Sequence, residues 1–168
     1  KHILNDSSYK KEINILLSHY HWDHIMGFFY FAPLYNKEYT INIYGYNSST
    51  PISKVSEILT NKDFWPVDKD MYEAKINFIE LSKSTNQLQE LNINNTSISY
   101  SLHPHPNGTN SFNIKTNNKK IVYVTDCEHP EGKLNENVVT IAKECDFLIH
   151  DSHFTIEDLN KYKGWGHS

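Results

Sequence analysis

The chain reads as a single mixed α/β domain over residues 1–168. Two kinds of pattern alternate along it. Short runs of period two predict half-buried strands: Ile41 and Ile43 alternate with polar and tyrosine positions in Thr40 to Tyr46, and Ile98, Tyr100 and Leu102 alternate with serines. Between such runs lie segments of helical period, one with Ile52, Val55, Ile58 and Leu59 on a face, another with Val138, Val139, Ile141 and Ala142. The alternation lacks strict β-α-β regularity, so pattern alone predicts the α/β class and no particular topology. A third observation bounds the size: 168 residues, 38% of them hydrophobic, suffice for one core and do not require two domains.

In chain order, Ile13, Ile15, Leu16 and Leu17 form an apolar run that predicts a buried strand. Ile25 to Tyr35 predicts a short helix that Pro33 ends before a turn at Asn36-Lys37, with Phe28, Phe29, Tyr30 and Phe31 mostly in the core. After the strand at Thr40 to Tyr46 comes a helix that Ser49 or Thr50 is placed to cap, with Pro51 suited to its first turn. Asn61 to Tyr72 has no clean period and reads as a loop, either bordering the site or pinned to the surface by Trp65. Strands are predicted at Lys75 to Leu81 and Ser97 to Leu102, then a hairpin of Ser111 to Thr116, the turn Asn117-Asn118, and Lys119 to Thr125. Asn135 caps a helix, Phe147-Leu148-Ile149 reads as a short buried strand, and Thr155 starts a last helix that Gly164 stops.

Composition excludes several functions. The longest apolar stretch, Ile25 to Leu34, contains Gly27 and Pro33 and is far short of the roughly 20 residues that span a bilayer, so no membrane partner is expected. Net charge is −4, and all 16 basic residues are lysine. Arginine is the usual bidentate fork for phosphates and guanine edges, so an extensive nucleic-acid surface is disfavoured, and Lys10-Lys11 and Lys119-Lys120 read as solvated surface. Two cysteines, Cys127 and Cys145, are too few for a disulfide framework; with no signal peptide visible, a cytoplasmic location is expected. The Asn-x-Ser/Thr matches at Asn47 and Asn94 are expected by chance in so asparagine-rich a chain.

The densest chemistry lies in Ser18-His19-Tyr20-His21-Trp22-Asp23-His24, directly after the first strand. Three imidazoles and a carboxylate on a strand-end loop are ligands for a borderline cation in a site that keeps an open position. His19 and His21, two apart, are spaced to grip one metal while Asp23 and His24 turn toward a second. The alternative is a solvated histidine-rich loop, which accounts less well for this spacing after a strand. The pattern resembles the His-x-His-x-Asp-His signature of the metallo-β-lactamase-fold hydrolases. That resemblance implies an αββα sandwich. It runs from His19 to His167 and is incomplete at the N- and C-terminal ends, lacking paired strands before the loop and a final strand bearing one more histidine.

Further groups match the family at inferred strand ends. His105, in His105-Pro106-Asn107-Gly108, matches the third histidine; His103 is its rival, and the Asn-Gly turn favours His105. Asp126, in Thr125-Asp126-Cys127-Glu128, matches the aspartate that bridges two metals. Antibiotic-hydrolysing members commonly carry a cysteine ligand near this point, but successive residues at a strand end face opposite sides, so only one of Asp126 and Cys127 meets the metals. The Thr-Asp-x-Glu context resembles the phosphodiesterase and ribonuclease Z-like branch, which selects Asp126 and leaves Cys127 as a packing residue. Asp151 and His167, the latter in Gly166-His167-Ser168, match the branch's acidic residue and the histidine it orients as general acid. His129, His150 and His153 take structural readings.

The resemblance thus implies a phosphodiesterase acting on a small or flexible substrate. In it His19, His21 and His105 hold one metal, Asp23 and His24 the other, and Asp126 bridges them around a shared hydroxide that acts as nucleophile. Asp23 orients that nucleophile and His167, held by Asp151, protonates the leaving group. Two zinc ions are expected in the intact protein, with Mn²⁺ or Fe²⁺ also compatible with an all nitrogen and oxygen set. With the second metal's further histidine expected beyond Ser168, that site is expected to be weak in this chain, and a homo-oligomer is left open because the missing strands would expose sheet edges. The rival readings are a thioester, lactone or lactam hydrolase on the same metals, and a metal-binding module without turnover.

Overall fold

The computed structural model describes residues 11–83 and 88–168; Lys10, the first residue of one lysine pair, lies outside them. The described residues form two compact units, the first from 11–45 and 52–80, the second from 46–51, 81–83 and 88–168.

The first unit is built on a three-stranded parallel sheet of order β1-β2-β3, with β1 at Glu12–Leu16, β2 at Thr40–Gly45 and β3 at Lys75–Glu80. Period two sorts its faces. Ile41 and Ile43 are fully buried against Leu17, Ile25, Phe28, Phe29, Leu34, Val55 and Leu59. On the alternate positions Asn14, Asn42 and Asn77 are in register, and each amide donates to the next, Asn42 Nδ2 to Asn14 Oδ1 at 2.9 Å and Asn77 Nδ2 to Asn42 Oδ1 at 2.7 Å. Parallel strands require crossovers, and these carry the helices. The first crossover is not the predicted helix ended by Pro33. It is a single turn α1, Trp22–Ile25, followed by 3₁₀ turns Met26–Tyr30 and Ala32–Tyr35. Phe31 is extended and breaks the run, and Pro33, with no N–H to donate, fits the first turn of the second piece. Phe28 and Phe29 are buried as expected, while Tyr30 is exposed.

The second crossover holds α2, Ser53–Leu59, whose Ile52, Val55 and Leu59 are buried. Neither Ser49 nor Thr50 caps it. Glu80 at the end of β3 reaches the Ile52 N–H at 2.7 Å, so a carboxylate distant in sequence supplies the acceptor that a local hydroxyl was expected to give. The loop before β3 includes the turn Lys69–Met71, and Trp65 pins it by packing on Phe29, ring centroids 4.7 Å apart.

The second unit is a five-stranded sheet of order β4-β5-β6-β7-β8: Gln89–Ile93, Thr96–His103, Thr109–Thr116, Lys119–Val124 and Phe147–His150. All neighbours are antiparallel except β7 and β8. The β6-β7 hairpin turns at Asn117-Asn118, both at positive φ, as the sequence predicts. β4 is an addition to the sequence reading: it joins β5 through Asn94-Asn95, with Asn94 also left-handed, a tight-turn signal visible in the sequence. Helix α3, Glu136–Ala142, is capped by Asn135, whose side chain accepts from the N–H groups of Asn137 and Val138. It packs Val138 and Ile141 on Val122 and Val124 of β7, with Cys127 in the same cluster. Two expectations are corrected here. Among the described residues β8 is an edge strand paired with β7 alone, and Phe147, Leu148 and Ile149 are each about half exposed rather than buried. The last helix, α4, covers only Ile156–Leu159 and ends before Gly164.

Candidate metal and catalytic site

In the first unit, β1 delivers the chain directly into the histidine loop. Ser18 and His19 are buried, and His21 stands at the N-terminus of α1, so that Asp23 and His24 fall within its one turn. Tyr20 seats the loop: its ring lies where a Cβ on Gly45 would come within 2.9 Å, so glycine at the end of β2 makes the room. Burial raises the Tyr20 hydroxyl pKa, which keeps it a neutral packing group. His19 Nδ1 is 3.1 Å from the Ser18 hydroxyl, and its Nε2 is 2.9 Å from Nδ1 of His21. The ring of His24 lies 4.2 Å from that of His19, centroid to centroid, and Asp23 Oδ2 is 3.3 Å from His24 Nε2. All four predicted loop ligands are thus gathered about the end of one strand.

In the second unit, His105 follows β5 in the turn that ends at Gly108, where the left-handed Asn107 and Gly108 reverse the chain. Its Nδ1–H donates to the carbonyl of Gly166 at 2.8 Å. A carbonyl can only accept, so the lone pair is on Nε2, and that atom lies 3.6 Å from Asp126 Oδ2. Both side chains are almost fully buried. An imidazole lone pair and a carboxylate oxygen at that distance could both reach one cation, and nitrogen and oxygen donors are compatible with zinc, manganese or iron. His103, the rival, is buried at the end of β5, where neither ring nitrogen makes a well-formed hydrogen bond among the described residues. Burial pushes its pKa down to about 4.

Asp126 has φ +49, two residues past β7. This left-handed kink turns its carboxylate toward His105 and His167, while Cys127 enters the core with α3. Burial raises the Cys127 thiol to about 12, so it is protonated unless a cation displaces the proton. His167 Nδ1 lies 2.9 Å from Asp151 Oδ2, and its Nε2 lies 3.9 Å from Asp126 Oδ2. Asp151 is itself held: its Oδ2 also accepts from the Cys127 N–H at 3.0 Å.

Sequence reasoning passed over Glu128. Its carboxylate accepts from the N–H of Gly164 at 2.8 Å and of Gly166 at 2.7 Å, which clamps the Gly-Trp-Gly turn that carries His167. Both glycines have positive φ, which aims their N–H groups at one carboxylate. An acidic residue two positions after Asp126 was the available signal. Beside His167 opens a cavity of about 450 Å³ whose lining includes Lys133, Leu134, Leu159 and Lys163.

A family model described as beta-lactamase superfamily domain matches residues 8–168. Among solved structures, the chain is similar to human tRNase Z, short form (ELAC1), with 17% identity and a TM-score of 0.66 over 99% of this chain and 68% of that one. It is also similar to the metallo-beta-lactamase fold protein YhfI from Bacillus subtilis, with 19% identity and a TM-score of 0.56 over 84% of this chain and 50% of that one. Unliganded yeast PDE1 matches with 15% identity and a TM-score of 0.60 over 92% of this chain and 48% of that one. The chain therefore spans about two thirds of the first structure and about half of the other two. No curated protein matches by sequence. These likenesses establish the metallo-β-lactamase fold that the motif predicts.

Proposed function

The chain belongs to the beta-lactamase superfamily, and from this premise we propose that it serves as a metal-dependent hydrolase of phosphodiester bonds in small or flexible substrates. The observation that carries the reading is the Asp151–His167 pair, in which one imidazole nitrogen rests on a carboxylate and the other looks toward Asp126. Hydrolysis of an amide or lactam needs a proton for its leaving group too, but a carboxylate-oriented histidine in a Gly-His-Ser element resembles the phosphodiesterase branch.

In this reading His19, His21 and His105 would hold the first cation and Asp23 and His24 the second, with Asp126 available as a ligand to either. When bound, divalent cations supply Lewis acidity toward phosphoryl oxygens and toward water. The chain's own groups do the rest. Asp23 orients the attacking water. Asp151 retains the Nδ1 proton of His167, so Nε2 is the atom that passes a proton to the departing oxygen. Glu128 and the Gly166–His105 hydrogen bond keep that histidine in register with Asp126. The neighbouring cavity, with two leucines and two lysines in its lining, is of a size for a small organic leaving group.

The test is a substrate panel of bis-nitrophenyl phosphate, a thioester and a cephalosporin, run on metal-loaded protein with and without EDTA. Chelator-sensitive turnover of the phosphodiester above the other two is expected. Preference for the thioester or the cephalosporin, or phosphodiester turnover indifferent to EDTA, would overturn the assignment.

A further inference from the structure

We propose that Cys127, His129 and His150 form an additional metal site, for a thiophilic cation of the zinc class, distinct from the ligand set assigned above. One ligand atom from each of the three residues lies within 4.8 Å of the other two, a spacing that one cation bridges with little movement. The rings of His129 and His150 stack with centroids 5.1 Å apart, and the thiol of Cys127 is buried and free of any disulfide.

The hydrogen-bond pattern of His150 supports ligation. His150 Nδ1–H donates to the carbonyl of Asp151 at 2.7 Å, so the lone pair of the ring sits on Nε2. That atom is buried and has no hydrogen-bond partner among the described residues. A buried lone pair without a donor is uncommon in a folded protein, and a cation is one of the few groups that satisfies it. His129 accepts the N–H of Asn135 on Nδ1 at 3.1 Å; ligation through that atom exchanges this hydrogen bond for the bond to the metal. Cys127 supplies the soft ligand, and its thiol proton leaves to solvent as the sulfur–metal bond forms.

Backbone geometry separates this cluster from the catalytic set. Asp126 and Cys127 are adjacent, but the left-handed conformation of Asp126 sends its carboxylate to His105 and His167. The thiol of Cys127 goes instead to His129 and His150. A thiolate with two imidazoles favours zinc or cobalt over magnesium or calcium.

The experiment titrates Co²⁺ into the metal-free chain and follows thiolate-to-cobalt charge transfer in the near ultraviolet. The band is expected to grow as cobalt is added and to saturate at an intensity of one thiolate-bound cobalt per chain. The band should vanish in Cys127→Ala, require at least tenfold more cobalt in His129→Ala and His150→Gln, and persist in Cys145→Ser and His21→Ala. Circular dichroism checks that each variant is folded, and His129→Ala, at a partly exposed position, keeps the test decisive if Cys127→Ala is not. Absence of the band at saturating cobalt overturns the proposal. So does a band lost in His21→Ala and kept in His150→Gln, which would make Cys127 a ligand of the catalytic centre. The phosphodiester reading stands or falls separately, on the substrate panel.

Discussion

Gly166→Ala is the substitution whose effect the structure sizes most directly. A Cβ at this position would lie 2.2 Å from His105 Nδ1 and 2.6 Å from Pro106 Cδ, atoms of a buried imidazole and a rigid ring that cannot step aside. The residue also has φ +86, a left-handed conformation that costs an L-residue roughly 1–2 kcal/mol. Forcing a methyl group into occupied space adds about 1–3 kcal/mol, for a total on the order of 2–5 kcal/mol. Gly164→Ala is the internal control. Its φ is +89, but an added Cβ meets nothing within 4 Å, so only the conformational cost of roughly 1–2 kcal/mol applies. At about 2–4 °C per kcal/mol for a chain of this size, thermal melts should place Gly166→Ala below Gly164→Ala by roughly 2–12 °C. The loop escapes the clash only by breaking the His105–Gly166 and Glu128–Gly166 hydrogen bonds, so zinc affinity should fall in Gly166→Ala and hold in Gly164→Ala. Equal melting temperatures and equal zinc affinity in the two variants would show that Gly166 does not lie against His105, and the second half of the site would need to be redrawn.

The other expectations concern ligands, proton transfer and the helix cap. His21→Ala and Asp126→Asn should each lower bound metal measured by elemental analysis after dialysis, with activity falling in parallel; full metal content with full turnover in either would remove that residue from the ligand set. His167→Ala should keep its metal and lose about 10²–10⁴-fold in kcat on diesters with poor leaving groups, while an activated nitrophenolate ester is spared; equal losses on both substrate types would rule out a general acid. Asn135→Ala removes an acceptor shared by two N–H groups of α3, and denaturant titration should show about 1 kcal/mol less stability; no change would mean the cap contributes nothing here.

Much of this was legible in the chain. Ligand spacing within the histidine loop, the asparagine turn of the β6-β7 hairpin and the Asn135 cap are local features, because each depends on residues within a few positions whose geometry the backbone period imposes. Local pattern misleads where it is ambiguous. Phe147-Leu148-Ile149 has the composition of a buried strand, yet whether such a run is central or at an edge depends on which strands pair with it, and among the described residues only β7 does. The same limit explains the cap of α2, taken by Glu80 from 28 residues away rather than by Ser49 or Thr50.

By itself, then, the sequence determined the α/β class, the family and the residue types that could meet a metal, since a short motif after a strand restricts both chemistry and direction. Tertiary structure alone decided the pairing across long separations. Gly166 meets His105 over 61 positions and Glu128 meets Gly166 over 38, and no periodicity reports such contacts because packing and chain reversal set them. It also decided between neighbours. Whether Asp126 or Cys127 turns toward His105 rests on one left-handed φ angle, a torsion that an L-aspartate adopts only when the surrounding hydrogen bonds and core hold it there.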